Sequence, residues 1–279
     1  MNIEGVVTKK GKKPGKTLAI MGGVHGNEPC GHLAIKRALS EIEIQSGTIH
    51  FIYGNPRAIT QDVRFTEVNL NRVFRNFEES DDVSSYEHQR ARELMPFLKE
   101  SEALLDIHSS SNPKSIPFII CEPHSFWIAE RLAFPLRSCG WDAIEPGGTD
   151  YFVNQHGGCG ICIECGNHED LKAPERAFQS IITFLTLMGA IDGLPPSLTP
   201  HQREVNVYSL YRTKNNFTPS RDFADFELLQ EGECIGHDGD IPLYVEDEKS
   251  VIIFAKKITQ SNQEAFILGR ERQVDESLT

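Results

Sequence analysis

The chain has 279 residues, with 28 Lys or Arg and 40 Asp or Glu, so its formal net charge is −12. This charge argues against sequence-independent binding to nucleic acid or to an anionic membrane surface. No apolar run approaches the roughly 18 residues that span a bilayer, and the first residues lack the apolar segment of a secretory signal. We therefore expect a soluble cytoplasmic protein whose partners are small molecules or proteins.

Strand-like and helical patterns alternate through the first two thirds of the chain. In chain order, strands are predicted by KTLAIMGGV, GTIHFIYGNP, ALLDIHSSS, SIPFIICEP and GICIECG. Helices are predicted between or after them by GHLAIKRALSEI, SSYEHQRARELMPFLKES and PERAFQSIITFLTLMGAI. This alternation predicts an α/β fold with a mainly parallel or mixed sheet flanked by helices.

The last third of the chain has a different pattern. The proline-rich segment DGLPPSLTPHQRE predicts a linker. Short strands without helices are predicted after it by EVNVYSLYRT, FELLQEGECIGHDG, IPLYVED and SVIIFAKK, and the polar end GRERQVDESLT is expected to be frayed. We predict an α/β domain at residues 1–198 and a smaller all-β domain at residues 199–279.

Metal-ligand side chains follow two of the predicted strands. His25 and Glu28 lie in the glycine-rich turn GGVHGNE, and His108 lies near the end of ALLDIHSSS. Because parallel strands deliver their carboxyl ends to one edge of a sheet, the three residues could share a divalent ion, as in a catalytic zinc site. Asp106 could orient a ligating histidine. Taken singly, a loop histidine is more often an ordinary solvated residue, and a buried Asp is equally typical of a hydrogen-bonded loop cap.

Polar residues near these positions suggest catalysis and substrate binding. Glu164 interrupts an apolar strand, where a carboxylate is costly unless it is paired or its pKa rises, so it could be a general base or half of a structural salt bridge. Arg64, Asn71 and Arg72 could polarise a carbonyl and hold a carboxylate, or could pair with acidic neighbours at the surface.

Three of the seven cysteines, Cys159, Cys162 and Cys165, have C-x-x-C-x-x-C spacing, which invites a metal-cluster interpretation. Side chains alternate along a strand, so Cys162 shares a face with Glu164 and the other two face away. One strand cannot make all three converge. We therefore favour reduced structural thiols over a cluster.

The ordered set of motifs resembles the succinylglutamate desuccinylase/aspartoacylase family, relatives of the zinc carboxypeptidases. The matching pieces are GGVHGNE, NPRA followed by VRFTEVNLNRVF, DIHSSS and GICIECG. The resemblance implies a zinc carboxypeptidase-like hydrolase domain and a β-rich domain that shapes the entrance to its site. It implies one zinc ion held by His25, Glu28 and His108, with Glu164 as general base and acid. Arg64 would stabilise the oxyanion, and Asn71 and Arg72 would bind a substrate carboxylate. Asp106 would be the partner of a zinc-bound histidine, expected to be His25.

Three positions depart from the family pattern. The family often has Asp at the position of Asn69 and Pro at that of Asn167. The aspartoacylase branch has an arginine at the position of Asn154. The last difference argues against N-acetylaspartate as the substrate.

The leading hypothesis is a zinc-dependent amidohydrolase, or deacylase, that cleaves the amide or ester bond of a small carboxylate-bearing N-acyl compound such as an N-acyl amino acid. One alternative is a zinc carboxypeptidase acting on peptide C-termini. The other is a catalytically weak small-molecule-binding protein with the same fold. The sequence leaves the acyl group, the amine and a homo-oligomer open.

Overall fold

The structure is a computed structural model that describes residues 3–75 and 83–272. The strands are β1 (Val6–Lys10), β2 (Lys13–Gly22), β3 (Ser46–Tyr53), β4 (Ala103–Ser110), β5 (Phe118–Cys121), β6 (Leu136–Cys139), β7 (Cys159–Asn167), β8 (Arg203–Arg212), β9 (Phe217–Pro219), β10 (Glu227–Leu228), β11 (Cys234–Asp238), β12 (Ile241–Tyr244), β13 (Ser250–Ile253) and β14 (Glu264–Arg272). The α-helices are α1 (Pro29–Glu41), α2 (Pro56–Gln61), α3 (Tyr86–Lys99), α4 (Phe126–Ala129), α5 (Trp141–Ile144), α6 (Thr149–Gln155) and α7 (Ala173–Leu187), and 3-10 helices span Leu70–Arg72 and Pro123–Ser125.

Eleven strands form one mixed sheet in the order β1-β3-β2-β4-β7-β5-β6-β8-β14-β13-β10. At its centre, β3, β2, β4 and β7 run parallel, whereas β5 runs antiparallel to β7. The parallel strands are buried on both faces, which explains why their sequences are apolar runs without alternation. The predicted α/β class with a mixed, helix-flanked sheet is confirmed.

Helices cover both faces of the central strands. Leu18 and Ile20 of β2 belong to the core beneath α1 and α7, while Ala19 and Met21 belong to the core beneath α3 and α6. α1 begins at Pro29, two residues before the predicted GHLAIKRALSEI. α3 begins at Tyr86, inside the predicted SSYEHQRARELMPFLKES, and the hydroxyl of Ser85 caps it by accepting the N–H of His88. The central strands therefore hold the site residues on a support packed from both sides.

The last third of the chain is rich in strands, as predicted, and its strands join two sheets. β8 runs parallel to β6 and, with β14, β13 and β10, continues the large sheet. β12, β11 and β9 form a separate antiparallel sheet. The boundary between residues 198 and 199 stays a prediction, because hydrogen bonding of the large sheet runs across it.

The prediction of a frayed end is wrong for residues 269–272. These residues lie in β14, where they pair with β8 through backbone hydrogen bonds and Arg272 contacts Glu204. The rest of that stretch, residues 273–279, lies outside the described residues. Across the described helices, none combines the length and the apolar composition that a bilayer span requires.

Candidate active site

The turn between β2 and α1 places His25 and Glu28 against β4. Helix α1 approaches this strand closely, since a Cβ added at Gly31 would lie 2.7 Å from the carbonyl oxygen of Ile107. The thiol of Cys30 donates to the carbonyl of His108 at 3.3 Å. The glycine and the small thiol thus allow the start of α1 to meet the end of β4.

The side chains of His25, Glu28 and His108 converge. Oε1 of Glu28 lies 2.7 Å from Nδ1 of His25, and Oε2 lies 2.9 Å from Nδ1 of His108. Each residue offers one ligand atom, and these three atoms all lie within 4.8 Å of one another. Over residues 3–75 and 83–272, this is the one group of three or more His, Cys, Asp or Glu side chains with such proximity.

The second ring nitrogen of His25 faces an amide oxygen. Nε2 of His25 lies 3.0 Å from Oδ1 of Asn69, an oxygen that also accepts the backbone N–H of Asn71 at 3.0 Å. Because that oxygen is an acceptor, Nε2 of His25 carries the proton and Nδ1 keeps its lone pair. Nδ1 is buried and has no hydrogen bond of acceptable geometry, although Glu28 is close. The ring is therefore arranged as a ligand.

The expectation that Asp106 would orient His25 is wrong. Oδ2 of Asp106 lies 3.0 Å from Nε2 of His108 and also accepts the hydroxyl of Thr149. Asp106 and His108 are two residues apart on β4, so their side chains share one face of the strand. The carboxylate expected beside the first histidine thus serves the second, and the amide of Asn69 serves the first.

The charges of the three convergent groups depend on their burial and on one another. Burial lowers the pKa of His25 to about 4, which keeps its ring neutral. Burial alone would raise the pKa of Glu28, but the two histidines hold it well below its usual range. Burial opposes protonation of His108 too, yet Asp106 and Glu28 outweigh it and raise its pKa. A metal that binds this ring must therefore displace a proton.

Glu164 lies on β7 directly beside His108 of β4. Its side chain is buried, and its Oε2 has no hydrogen-bond partner within the described parts of the chain. Burial, together with the negative charge of Glu28, raises its pKa well above the usual carboxyl range. A buried carboxylate with an unpartnered oxygen beside the histidines can exchange a proton with a water or a substrate.

The loop that carries Arg64, Asn71 and Arg72 is fixed by a buried carboxylate on α3. Glu87 accepts the backbone N–H of Thr66 at 2.7 Å and that of Val68 at 3.2 Å, and the side-chain amide of Asn55 at 3.1 Å. Burial alone would raise the pKa of Glu87, but these donors lower it. The loop in turn places Nη1 of Arg64 3.0 Å from Oε1 of Glu28.

We expect Glu87→Gln to destabilise the protein by about 2–3 kcal/mol, because the amide accepts fewer hydrogen bonds than the buried carboxylate. The folded pKa is depressed, so the carboxylate stabilises the protein fully above its unfolded pKa of about 4.3, and this contribution is lost as the pH falls through the folded value. Urea unfolding of both proteins between pH 7 and pH 3 measures the difference. Glu93→Gln, at a half-exposed carboxylate of α3, is the control, and equal stability of the Glu87→Gln and parent proteins would contradict the expectation.

Arg72 lies in a cluster of two guanidinium groups and two carboxylates. Its Nε lies 2.9 Å from Oε1 of Glu264, its Nη2 contacts Glu145, and Arg212 shares Glu264 at 3.0 Å. Burial raises the pKa of Glu145 to about 7, against the opposing charge of Arg72. Arg72 thus has internal carboxylate partners. Its predicted contact with a substrate carboxylate stays a prediction.

A cavity of about 530 Å³ opens onto the convergent residues. Seven of the eight predicted site residues line it: His25, Glu28, Arg64, Asn71, Arg72, His108 and Glu164. The eighth, Asp106, lies behind His108. Its apolar wall is formed by Ile120, Trp141, Leu210, Phe254, Phe266 and Ile267. Such a volume suits a small molecule.

The remaining sequence features lie around this cavity or behind it. Cys162 lines the cavity, whereas Cys165 packs on the opposite face of β7 in the core beneath α1 and α7, as strand alternation predicts. Asn154 is directed elsewhere, since its Oδ1 accepts the N–H of Gly160 at 2.8 Å. Asn167 donates to the carbonyl of Ser110 at 3.3 Å and so links the ends of β7 and β4.

Sequence patterns did not single out Glu145, Glu264 or Lys256, although all three line the cavity. Glu264 and Lys256 come from the strand-rich tail, far along the chain from the motifs. The one available signal is a charged residue directly before the apolar run AFIL, where Glu264 stands. That signal does not specify a partner.

Comparison with known proteins agrees with this geometry. A family model described as the succinylglutamate desuccinylase/aspartoacylase catalytic domain matches residues 14–185. The succinylglutamate desuccinylase of Pseudoalteromonas atlantica is 24% identical over 91% of this chain and 81% of its own length, and one from Vibrio cholerae is 26% identical over 91% and 80%. A solved structure of the succinylglutamate desuccinylase from Vibrio cholerae has a TM-score of 0.77 at 21% identity and covers 98% of this chain and 88% of that one, so the two share a fold.

Proposed function

The chain belongs to the succinylglutamate desuccinylase/aspartoacylase family, and from this premise we propose that it is a zinc-dependent hydrolase of small carboxylate-bearing N-acyl compounds. It cleaves the amide, or the corresponding ester, of an N-acyl amino acid or a related molecule. The observation that carries the proposal is the convergence of His25, Glu28 and His108 to within 4.8 Å, with Glu164 on the adjacent strand. The reduced thiols favour a cytoplasmic site of action.

The three convergent residues fit zinc by their chemistry. Two imidazoles and one carboxylate are a common catalytic donor set, and both rings direct Nδ1 toward Glu28. Nε2 of His25 lies 3.0 Å from Asn69, and Nε2 of His108 lies 3.0 Å from Asp106. Zinc bound there supplies a Lewis acid that lowers the pKa of water toward about 7 and polarises a carbonyl. Glu164 and Arg64 then perform the remaining steps.

Glu164 accepts a proton from the attacking water and returns it to the departing amine. Its unpartnered Oε2 and its burial beside His108 suit both transfers. Arg64 lines the cavity, and its contact with Glu28 positions the guanidinium toward the developing oxyanion. Asn71 lines the same cavity and is held by its backbone N–H to Asn69, which suits it to bind polar groups of the substrate.

Asn69 should tune zinc affinity through His25. We expect Asn69→Ala to weaken zinc binding by about 10–100-fold, because the ring loses the acceptor that fixes its tautomer. Asn69→Asp keeps an acceptor of greater basicity and should bind zinc at least as tightly as the parent. Competition with a zinc-chelating dye measures both affinities. Unchanged affinity in Asn69→Ala would remove Asn69 from this role.

A substrate screen with the zinc-loaded protein tests the proposed function. The panel contains N-acetyl and N-succinyl amino acids, the matching esters, and short peptides with a free C-terminus. We expect release of the free amine or alcohol from N-acyl compounds, loss of turnover with a chelator and recovery with zinc. N-acetylaspartate should be a poor substrate, because this chain has Asn154 where the aspartoacylase branch of the family has an arginine. Turnover of the peptides alone would favour the carboxypeptidase, and no turnover at all would favour the binding protein.

A further inference from the structure

Most cationic side chains around the cavity already have partners. The lining cations are Arg64, Arg72, Lys114, Arg221, Lys256 and Lys257. Arg64 contacts Glu28, and Arg72 contacts Glu145 and Glu264. Lys114 donates to the carbonyl of Asp222, and Arg221 contacts Glu227 and Glu233. Within residues 3–75 and 83–272, the side chains of Lys256 and Lys257 form no hydrogen bond or ion pair, so they are the lining cations without a direct partner there.

The backbone holds Lys256 close to the candidate active site. Its N–H donates to the carbonyl of Ala265 at 3.1 Å, next to the Glu264 that pairs with Arg72. Two residues earlier, the N–H of Phe254 donates to Oδ1 of Asp225 at 2.8 Å. The turn after β13 is thus fixed at both points, and it presents the Lys256 side chain to the cavity.

The electrostatic surroundings of Lys256 link it to the reaction centre. The Lys256 side chain is exposed at the cavity rim. Partial desolvation by the cavity wall and the charges of Arg64 and Arg72 lower its pKa, and Glu264 and Glu145 oppose them. Lys256 and the proposed oxyanion stabiliser, Arg64, line the same cavity. A carboxylate placed there would relieve the repulsion between these cations.

We propose that Lys256 binds a carboxylate of the substrate and so determines specificity, an inference that rests on the proposed function. A carboxylate approaching Arg72 would meet Glu145 and Glu264, which already contact that guanidinium. Asn154 carries no charge and lies outside the cavity lining. Lys256, by contrast, is a flexible ammonium with three free donors at the cavity wall. The tail of the chain, beyond the matched residues 14–185, thereby contributes to substrate recognition.

Steady-state kinetics of the zinc-loaded full chain with N-succinyl-L-glutamate test the role of Lys256. We expect Lys256→Met to raise KM by about 10–100-fold with kcat within a few-fold of the parent, because a charge-assisted hydrogen bond is lost from bound substrate. Lys256→Arg should restore most of the affinity. Lys214→Met, at an exposed lysine away from the cavity, should change neither constant.

Calorimetric binding of succinate and L-glutamate to the same proteins separates this inference from the proposed function. Lys256-dependent binding without any hydrolysis would refute the proposed function and keep the role of Lys256. Hydrolysis with equal KM, and equal binding, in the parent and Lys256→Met would overturn the role of Lys256 and keep the proposed function. Loss of affinity in Lys257→Met but not in Lys256→Met would also overturn it, as would a parent protein that binds neither succinate nor L-glutamate.

Discussion

The Glu164→Gln protein should bind zinc like the parent and hydrolyse its substrate about 10²–10⁴-fold more slowly, the usual contribution of a general base. Glutamine keeps the size of the side chain but cannot accept a proton from water at neutral pH. The change also removes a carboxyl whose pKa is raised by burial and by Glu28, so it should not destabilise the fold. Turnover numbers together with zinc content measure the effect.

Glu169→Gln is the matched control for this variant, because Glu169 is an exposed carboxylate shortly after the same strand. It should retain full activity. A thermal unfolding curve equal to that of the parent establishes that Glu164→Gln is folded. Parental turnover in a folded, zinc-loaded Glu164→Gln protein would remove Glu164 from the chemistry.

His108→Ala should lose both metal and activity. Zinc affinity should fall by more than about 100-fold, since loss of an outer hydrogen bond to a ligand already costs about 10–100-fold and here a ligand itself is lost. The change also leaves Asp106 buried without its imidazole partner, so we expect a lower melting temperature. Metal analysis after dialysis against equimolar zinc gives the occupancy.

His237→Ala provides the control, because His237 is an exposed histidine on β11, away from the cavity. It should keep the parental zinc content and turnover. Excess zinc should restore part of the His108→Ala activity only if the remaining two ligands retain the ion. A dialysed His108→Ala protein with one zinc per chain would place the metal elsewhere.

Much of the central fold follows from sequence patterns because its elements have strong signals. The apolar runs of β2, β4 and β7 are buried on both faces, and the helices between them carry clear apolar stripes and start signals. β14 is not identified by its sequence, because its short apolar run is followed by GRER and lacks strict alternation. Its hydrogen bonds come from β8 and β13, which are distant in the chain.

The sequence predicts part of the candidate site, the metal ligands, but does not predict the contacts that support them. His25, Glu28 and His108 stand at strand ends, so the topology of a parallel sheet is enough to predict that they meet. The partner of Asp106 depends on side-chain direction within β4, which motif order does not specify. The pairing of Arg72 with Glu264 could not be predicted from the sequence either, because Glu264 lies 192 positions further along the chain, in its strand-rich last third. Local patterns therefore predict the ligands better than their supporting contacts.

The most direct test of a metal centre at the carboxyl ends of β2 and β4 is an anomalous difference map. It is calculated from data collected at the zinc absorption edge on a crystal of the zinc-saturated protein. We predict one anomalous peak per chain, at a zinc ion bound by Nδ1 of His25, Nδ1 of His108 and the carboxylate of Glu28. Zinc bound at another position, with these three side chains contacting only one another, would contradict the account.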